Sequence, residues 1–146
     1  FEAPAPVHPA VPEAVATADV IAFGPGSFFT SILPHLLVDG VAAAVAANRR
    51  ARKLFLANLV ECNETLGRPL DDLLGVFASA AEERGLTLAD LVGEIHVDRQ
   101  PFPAGKTTNG HAYLAHGAAA RLAAAHGIAF RAGALEDTWQ RGRHDG

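Results

Sequence analysis

The chain has 146 residues, 49% of them hydrophobic, which suits one packed domain or half of a larger one and excludes a disordered tail. A formal charge of −4 excludes a generic nucleic-acid binder, and a single cysteine excludes an internal disulfide framework or a cysteine zinc cluster. No apolar run approaches the ~20 residues that span a bilayer, and no signal-peptide pattern opens the sequence, so the expected compartment is the cytoplasm. Phe1 opens the chain and methionine is absent, which reads as a trimmed or partial chain, or one whose start was processed.

Residues 1–14 carry Pro4, Pro6, Pro9 and Pro12, and proline fixes φ and removes a donor. This stretch is expected to be an extended arm or an ordered loop, with the α/β domain over 15–146. Residues 18–23 (ADVIAF) are a short apolar run before Gly24, expected as a strand buried on both faces of a parallel sheet. Residues 27–37 are helix-like, with a kink or restart at Pro34. Residues 40–48 are alanine-rich and helical, ending near Asn48.

Residues 53–57 (KLFLA) form the second expected strand, and 58–68 the loop after it. Pro69 suits a first helical position. The helix over 70–84 places Leu70, Leu73, Leu74, Phe77 and Ala81 on one face, and Gly85 stops it. Thr87 caps a short helix to Val92. Strand-like 94–98 (EIHVD), a loop over 99–110, a helix over 111–126 and a strand over 128–131 complete the order. Strands alternating with helices predict right-handed parallel βαβ units: an α/β, Rossmann-like three-layer sandwich with helices on both faces. Ligands bind such sheets beyond the carboxyl ends of the strands, here the loops after Phe23, Ala57 and Asp98.

The first of these loops reads Gly24-Pro25-Gly26-Ser27, followed by Phe28-Phe29-Thr30-Ser31. Glycines permit close backbone approach, and the helix start offers N–H groups to a phosphate. A tight strand-to-helix turn with Ser27 as N-cap explains the same residues equally well. The second loop holds Asn58, Glu61, Cys62, Asn63, Glu64, Thr65 and Gly67, a set that suits ribose or sugar hydroxyls. Such residues more commonly satisfy loop backbone, and Cys62 alone reads as an inert thiol. Ala104-Gly105-Lys106-Thr107 imitates the end of a P-loop, but Gln100 stands where glycine is required, and Pro101 and Pro103 remove donors. His111 and His116, five apart, lie about 140° from each other on a helix, so they do not share a face. No metal site is expected.

The string Ala18-Asp19-Val20-Ile21-Ala22-Phe23-Gly24-Pro25-Gly26-Ser27-Phe28-Phe29-Thr30-Ser31-Ile32-Leu33-Pro34-His35-Leu36-Leu37-Val38 resembles the central block of the gluconeogenesis factor (YvcK-like) family. That family belongs to one superfamily with 2-phospho-L-lactate transferase (CofD). Asn58-Leu59 and Glu64-Thr65-Leu66-Gly67 continue the resemblance, and Asp72 matches an expected acid. Asn63 stands where a glycine is usual, Arg68 where an aromatic is usual and Leu73 where a histidine is usual. Arg143-His144-Asp145 resembles the family's C-terminal motif. Family members open with a glycine-rich strand–turn–helix that has no counterpart here, so the chain resembles their C-terminal half.

The resemblance implies a Rossmann-like fold and a nucleotide ligand, above all a UDP-sugar, with a dinucleotide as alternative. Gly24, Gly26, Ser27, Thr30 and Ser31 would face the diphosphate, Asn58, Glu64 and Thr65 would line the same cleft, and Arg143 would add a guanidinium. The implied role is regulatory, in carbon metabolism and cell-wall synthesis, without turnover. The alternative is a transferase moving a 2-phospholactyl group from a nucleotide donor to a deazaflavin. Neither a nucleic-acid partner nor a membrane span is expected, and a homo-oligomer remains open. Valine at Gly24 or Gly26 is expected to abolish nucleotide binding with the fold intact or mildly destabilised.

Overall fold

The structure is a computed structural model that describes residues 7–99 and 111–136. Four parallel strands run β1 (Val20–Phe23), β2 (Arg52–Leu56), β3 (Glu94–Asp98) and β4 (Ala129–Gly133), in the spatial order β1-β2-β3-β4. The expected α/β, Rossmann-like parallel architecture is therefore present. Phe23 pairs with Phe55, Phe55 with Ile95, and Ile95 with Phe130, so one row of apolar side chains crosses the sheet on a single face.

Each crossover steps the sheet in the same direction. Right-handed connections then put every connecting helix on the same face. The helices are α2 (Pro34–Leu37) and α3 (Val41–Ala47) between β1 and β2, α4 (Leu70–Glu82) and α5 (Leu88–Leu91) between β2 and β3, and α6 (Ala119–Ala125) before β4. Leu70, Leu73, Leu74, Phe77 and Ala81 of α4 are all buried, as their spacing predicts. Phe77 meets Phe23 and Phe55 edge-on, at ring separations of 5.1 and 5.7 Å, which pins α4 over the first two strands. Thr87 caps α5 in a reciprocal capping box with Asp90.

Three expectations need correction. Ala10–Thr17 form a helix, α1, where the prolines suggested extended chain. Pro9 and Pro12 lie at its start, where a missing N–H removes no intrahelical bond. Asn48 ties this helix down, its amide donating to the Val15 and Ala18 carbonyls at 2.7 and 2.9 Å. Second, β1 is not buried on both faces: among the described strands it lies at the edge of the sheet, and Val20 is 53% exposed. Third, the helix expected over 111–126 begins only at Ala119. Gly117 takes a left-handed φ of 51°, and Tyr113 instead bridges Val60 in antiparallel fashion.

The expectation of helices on both faces is likewise corrected: among the described residues the opposite face of the sheet carries no helix, because every crossover steps the same way. It presents Val20, Ala22, Leu54 and Leu56 beside a charged cluster. Glu94 is the hub of that cluster, accepting from Arg52 at 3.0 Å, Arg131 at 3.3 Å and His96 at 3.2 Å. The arginines and His96 hold the Glu94 carboxyl below its ordinary pKa, the Arg52 contact acting most strongly. Among the described residues no helix is long and apolar enough to cross a membrane.

His116 lies against Phe130, and burial lowers its pKa, partly offset by the Asp98 charge. The folded state then resists protonation more than the unfolded chain. This contribution to stability is complete above the ordinary value near 6.5 and is lost as pH falls through the depressed folded value. Thermal melts between pH 7.5 and 5 should show a smaller drop in Tm for His116→Gln than for the parent. Parallel drops would exclude His116 as the group responsible.

Candidate functional site

The site is built at the carboxyl ends of β1 and β2. Gly24 follows the last residue of β1 with φ of 84°, and a Cβ there would lie 2.5 Å from the Leu56 carbonyl oxygen. Glycine is thus required for the loop to turn this close to the end of β2. Gly26 is ordinary in φ, and a Cβ on it would meet Ser31 Cβ at 3.6 Å, a normal contact. The two glycines have different jobs.

Asn58, two residues beyond β2, clamps the turn. Its Oδ1 accepts from the Gly26 N–H at 3.0 Å, and its Nδ2 donates to the Gly26 carbonyl at 2.8 Å. Glu64 holds the next segment: Oε1 accepts from the Thr30 hydroxyl at 2.8 Å and Oε2 from the Phe29 N–H at 3.2 Å. The sequence-predicted residues Gly24, Gly26, Thr30, Asn58 and Glu64 therefore come together in space. The expected helix over 27–37 begins as a π-helical turn, Phe28–Ile32, and restarts at Pro34. The Ser27 carbonyl accepts from Ser31 and Ile32, while its side chain makes no cap, so the N-cap alternative for its hydroxyl is not realised. The N–H groups of Ser27, Phe28 and Thr30 donate to no group among the described residues. Ser31 is exposed.

Thr65 stands apart. It is 2% exposed, and its hydroxyl accepts from the Cys62 N–H at 3.0 Å, holding the Cys62–Thr65 turn from inside. Arg143 lies outside the described residues, as does the P-loop look-alike over 104–107.

Two residues beyond the expected site set lie at these strand ends. Arg68 sits over the Phe29 ring at 5.3 Å and its Nε meets Asp72 at 2.9 Å, so a guanidinium is fixed beside the Gly24–Ser31 loop. Its place in the same loop as Glu64 was the available signal. Asp98 ends β3 and is 5% exposed; Oδ1 accepts from the Leu135 and Glu136 N–H groups, while Oδ2 has no hydrogen-bond partner among the described residues. Its position at a strand's carboxyl end was visible, but its burial was not.

A groove of about 360 Å³ opens on the helix side of β1, walled by Val11, Val15, Ile21, Phe23, Ile32 and Val45, with His35 and Ser31 also on it. Residues 112–114 close the other flank of the second loop. There Glu61 N–H donates to the Ala112 carbonyl, and Leu114 N–H to Leu59.

Residues 2–126 match the family described as 2-phospho-L-lactate transferase CofD. The chain belongs to the CofD family. Among its curated relatives is a putative gluconeogenesis factor of Mycobacterium tuberculosis, 40% identical over 89 residues, 61% of this chain and 25% of the relative. A gluconeogenesis factor of Halalkalibacterium halodurans is 46% identical over 63 residues, 42% of this chain and 19% of the relative. A crystal structure of a UPF0052 family protein from Bacillus halodurans superposes with a TM-score of 0.76 at 26% identity, covering 94% of this chain and 43% of that one. This CofD-family chain thus spans less than half of that relative. The resemblance to gluconeogenesis factors and the parallel α/β fold both hold.

Proposed function

We propose that this CofD-family protein binds a nucleotide-sugar of the UDP-sugar class as a regulatory ligand, without turnover. The observation that carries the reading is the Asn58–Gly26 and Glu64–Thr30 bracing of the Gly24–Ser31 loop at two adjacent strand ends. Bracing fixes a loop before its ligand arrives, which lowers the ordering cost of binding. In this reading the diphosphate meets the N–H groups of Ser27 and Phe28, with Gly26, Thr30 and Ser31 beside it. Asn58 and Glu64 act chiefly through the loop they hold, Thr65 shapes the second loop, and Arg68 and Arg143 supply positive charge. The Glu64 carboxylate already occupies the Phe29 N–H and the Thr30 hydroxyl, so those donors reach a phosphate only if Glu64 moves. The proposed setting is the cytoplasm, in control of carbon metabolism and cell-wall synthesis; the gluconeogenesis factor names of its relatives support the first of these.

The alternative is a transferase that moves a 2-phospholactyl group from a nucleotide donor to a deazaflavin, and the family's own description favours it. Against it, the Cys62 Sγ meets the Thr65 hydroxyl at 3.4 Å and, among the described residues, hydrogen-bonds to no histidine, lysine or carboxylate that would serve as its base. Uniform binding of ground and transition states gives affinity without rate. The protein incubated with UDP-sugars should return them unchanged by mass spectrometry. Incubation with a lactyl-phospho-guanosine donor, deazaflavin acceptor and magnesium should give no phospholactylated product. Protein-dependent formation of that product would establish the transferase reading instead.

A further inference from the structure

We propose that Arg68 selects a nucleotide-sugar whose sugar carries a carboxylate, a sugar acid of the uronic type. This rests on the nucleotide-sugar reading and narrows it to one ligand class. The backbone delivers Arg68 to a fixed place. Thr65 N–H donates to the Cys62 carbonyl at 2.9 Å, and Arg68 N–H donates to the Thr65 carbonyl at 3.0 Å. Two successive turns thus carry the chain past the buried Thr65 to Pro69 at the head of α4.

The side chain is then held from two directions. Its guanidinium lies over the Phe29 ring, 5.3 Å from the centroid, and its Nε meets Asp72 Oδ2 at 2.9 Å. The ring beneath is itself anchored. Phe29 meets the buried Phe28 edge-on at 5.0 Å, and its N–H donates to Glu64. Ordering a long side chain opposes binding, and here the free protein already holds the guanidinium in one plane.

The donors left over decide the ligand. Arginine carries N–H donors on Nε and on both Nη atoms. Nε is engaged by Asp72, while neither Nη has a hydrogen-bond partner among the described residues. The side chain is 40% exposed, so its Nη end is open to an incoming group. The nearby acids do not fill it: Glu64 is held by Phe29 and Thr30, and Asp72 by Nε. The two Nη groups make a planar fork that matches the two oxygens of a carboxylate. The diphosphate is served by the Ser27 and Phe28 N–H groups, one residue before the ring that carries the guanidinium. The fork is therefore left for the sugar that follows the diphosphate. A neutral hexose offers it hydroxyls alone, whereas a carboxylate offers two acceptors and a charge, and charge-assisted pairs are the stronger ones.

The test is calorimetric titration of UDP, UDP-glucose and UDP-glucuronate into the protein and its Arg68 variants. UDP-glucuronate should bind at least about tenfold tighter than UDP-glucose, from which it differs only in the carboxylate. Arg68→Gln should bring the ratio of the two affinities to within about twofold of one. A merely structural Arg68 would weaken both sugars alike and leave that ratio as it was. If Arg68→Gln fails to fold by circular dichroism, Arg68→Lys keeps the charge without the fork and should lower the ratio at least about threefold. Equal affinities in the parent, or a preference for the glucuronate that the folded variant retains in full, would overturn the proposal while nucleotide-sugar binding itself stands. Binding of none of the three ligands would overturn the nucleotide-sugar reading and this proposal with it.

Discussion

Gly24→Val will destabilise the protein by about 4 kcal/mol, while Gly26→Ala will change its stability by no more than about 0.5 kcal/mol. At Gly24 two costs add. The φ of 84° is a region that a β-branched residue almost never adopts, and the new Cβ would meet the Leu56 carbonyl at 2.5 Å. That carbonyl belongs to β2, so relief requires the first two strands to separate. At Gly26 a methyl group finds ordinary contacts and no positive φ. The sequence-based expectation that both glycines are tolerated by the fold and needed for the ligand is thus corrected for Gly24: it is a structural requirement first. Urea titrations of the two variants check this, and a Gly24→Val protein with parental stability would show that the turn is looser than its geometry.

Asn58→Ala will weaken nucleotide-sugar binding at least about tenfold, which corresponds to about 1.4 kcal/mol. The amide satisfies both backbone groups of Gly26 at once, at 3.0 and 2.8 Å. Removing it leaves a half-buried N–H and C=O without partners, at a cost of about 1–3 kcal/mol. The loop escapes this cost by rotating its peptides toward water, which disperses the N–H groups that would meet a phosphate. Asn58→Asp is the sharper control. It keeps an acceptor for the Gly26 N–H, but sets a carboxylate against the Gly26 carbonyl and beside an incoming anion. It should bind more weakly than the parent even where its melting temperature is restored. Titration of a UDP-sugar into each variant, read against the variant's own stability, separates loop disorder from global unfolding.

Much of this was legible in the sequence because it depends on local pattern. The α4 face from Leu70 to Ala81 has one periodicity and one plausible burial, and Glu94–Asp98 alternates as a strand must. The strand–turn with GPGS marked the site because glycine and proline punctuate backbone directly. What could not be read depends on partners distant in sequence. Nothing local distinguishes Gly24 from Gly26; the difference is a carbonyl of the neighbouring strand. Asn58 and Glu64 were grouped with the site by type, yet their partners lie 32 to 35 positions away, and only the fold shows them serving the loop backbone. The residues before α6 were misassigned because alanine favours helix, whereas Gly117 and the Val60–Tyr113 bridge hold that segment extended. The edge position of β1 among the described strands was invisible, since an apolar tetrapeptide reads alike in a central strand and in an edge strand.

Isothermal titration of UDP-N-acetylglucosamine and UDP-glucose against the protein and its Asn58→Ala variant tests the proposed site most directly. The expected result is saturable binding of at least one of the two, dependent on the diphosphate so that uridine alone does not compete, and weakened at least about tenfold by Asn58→Ala. Binding of neither nucleotide-sugar, or binding that Asn58→Ala leaves unchanged, would contradict the assignment of the Gly24–Ser31 loop as the ligand site.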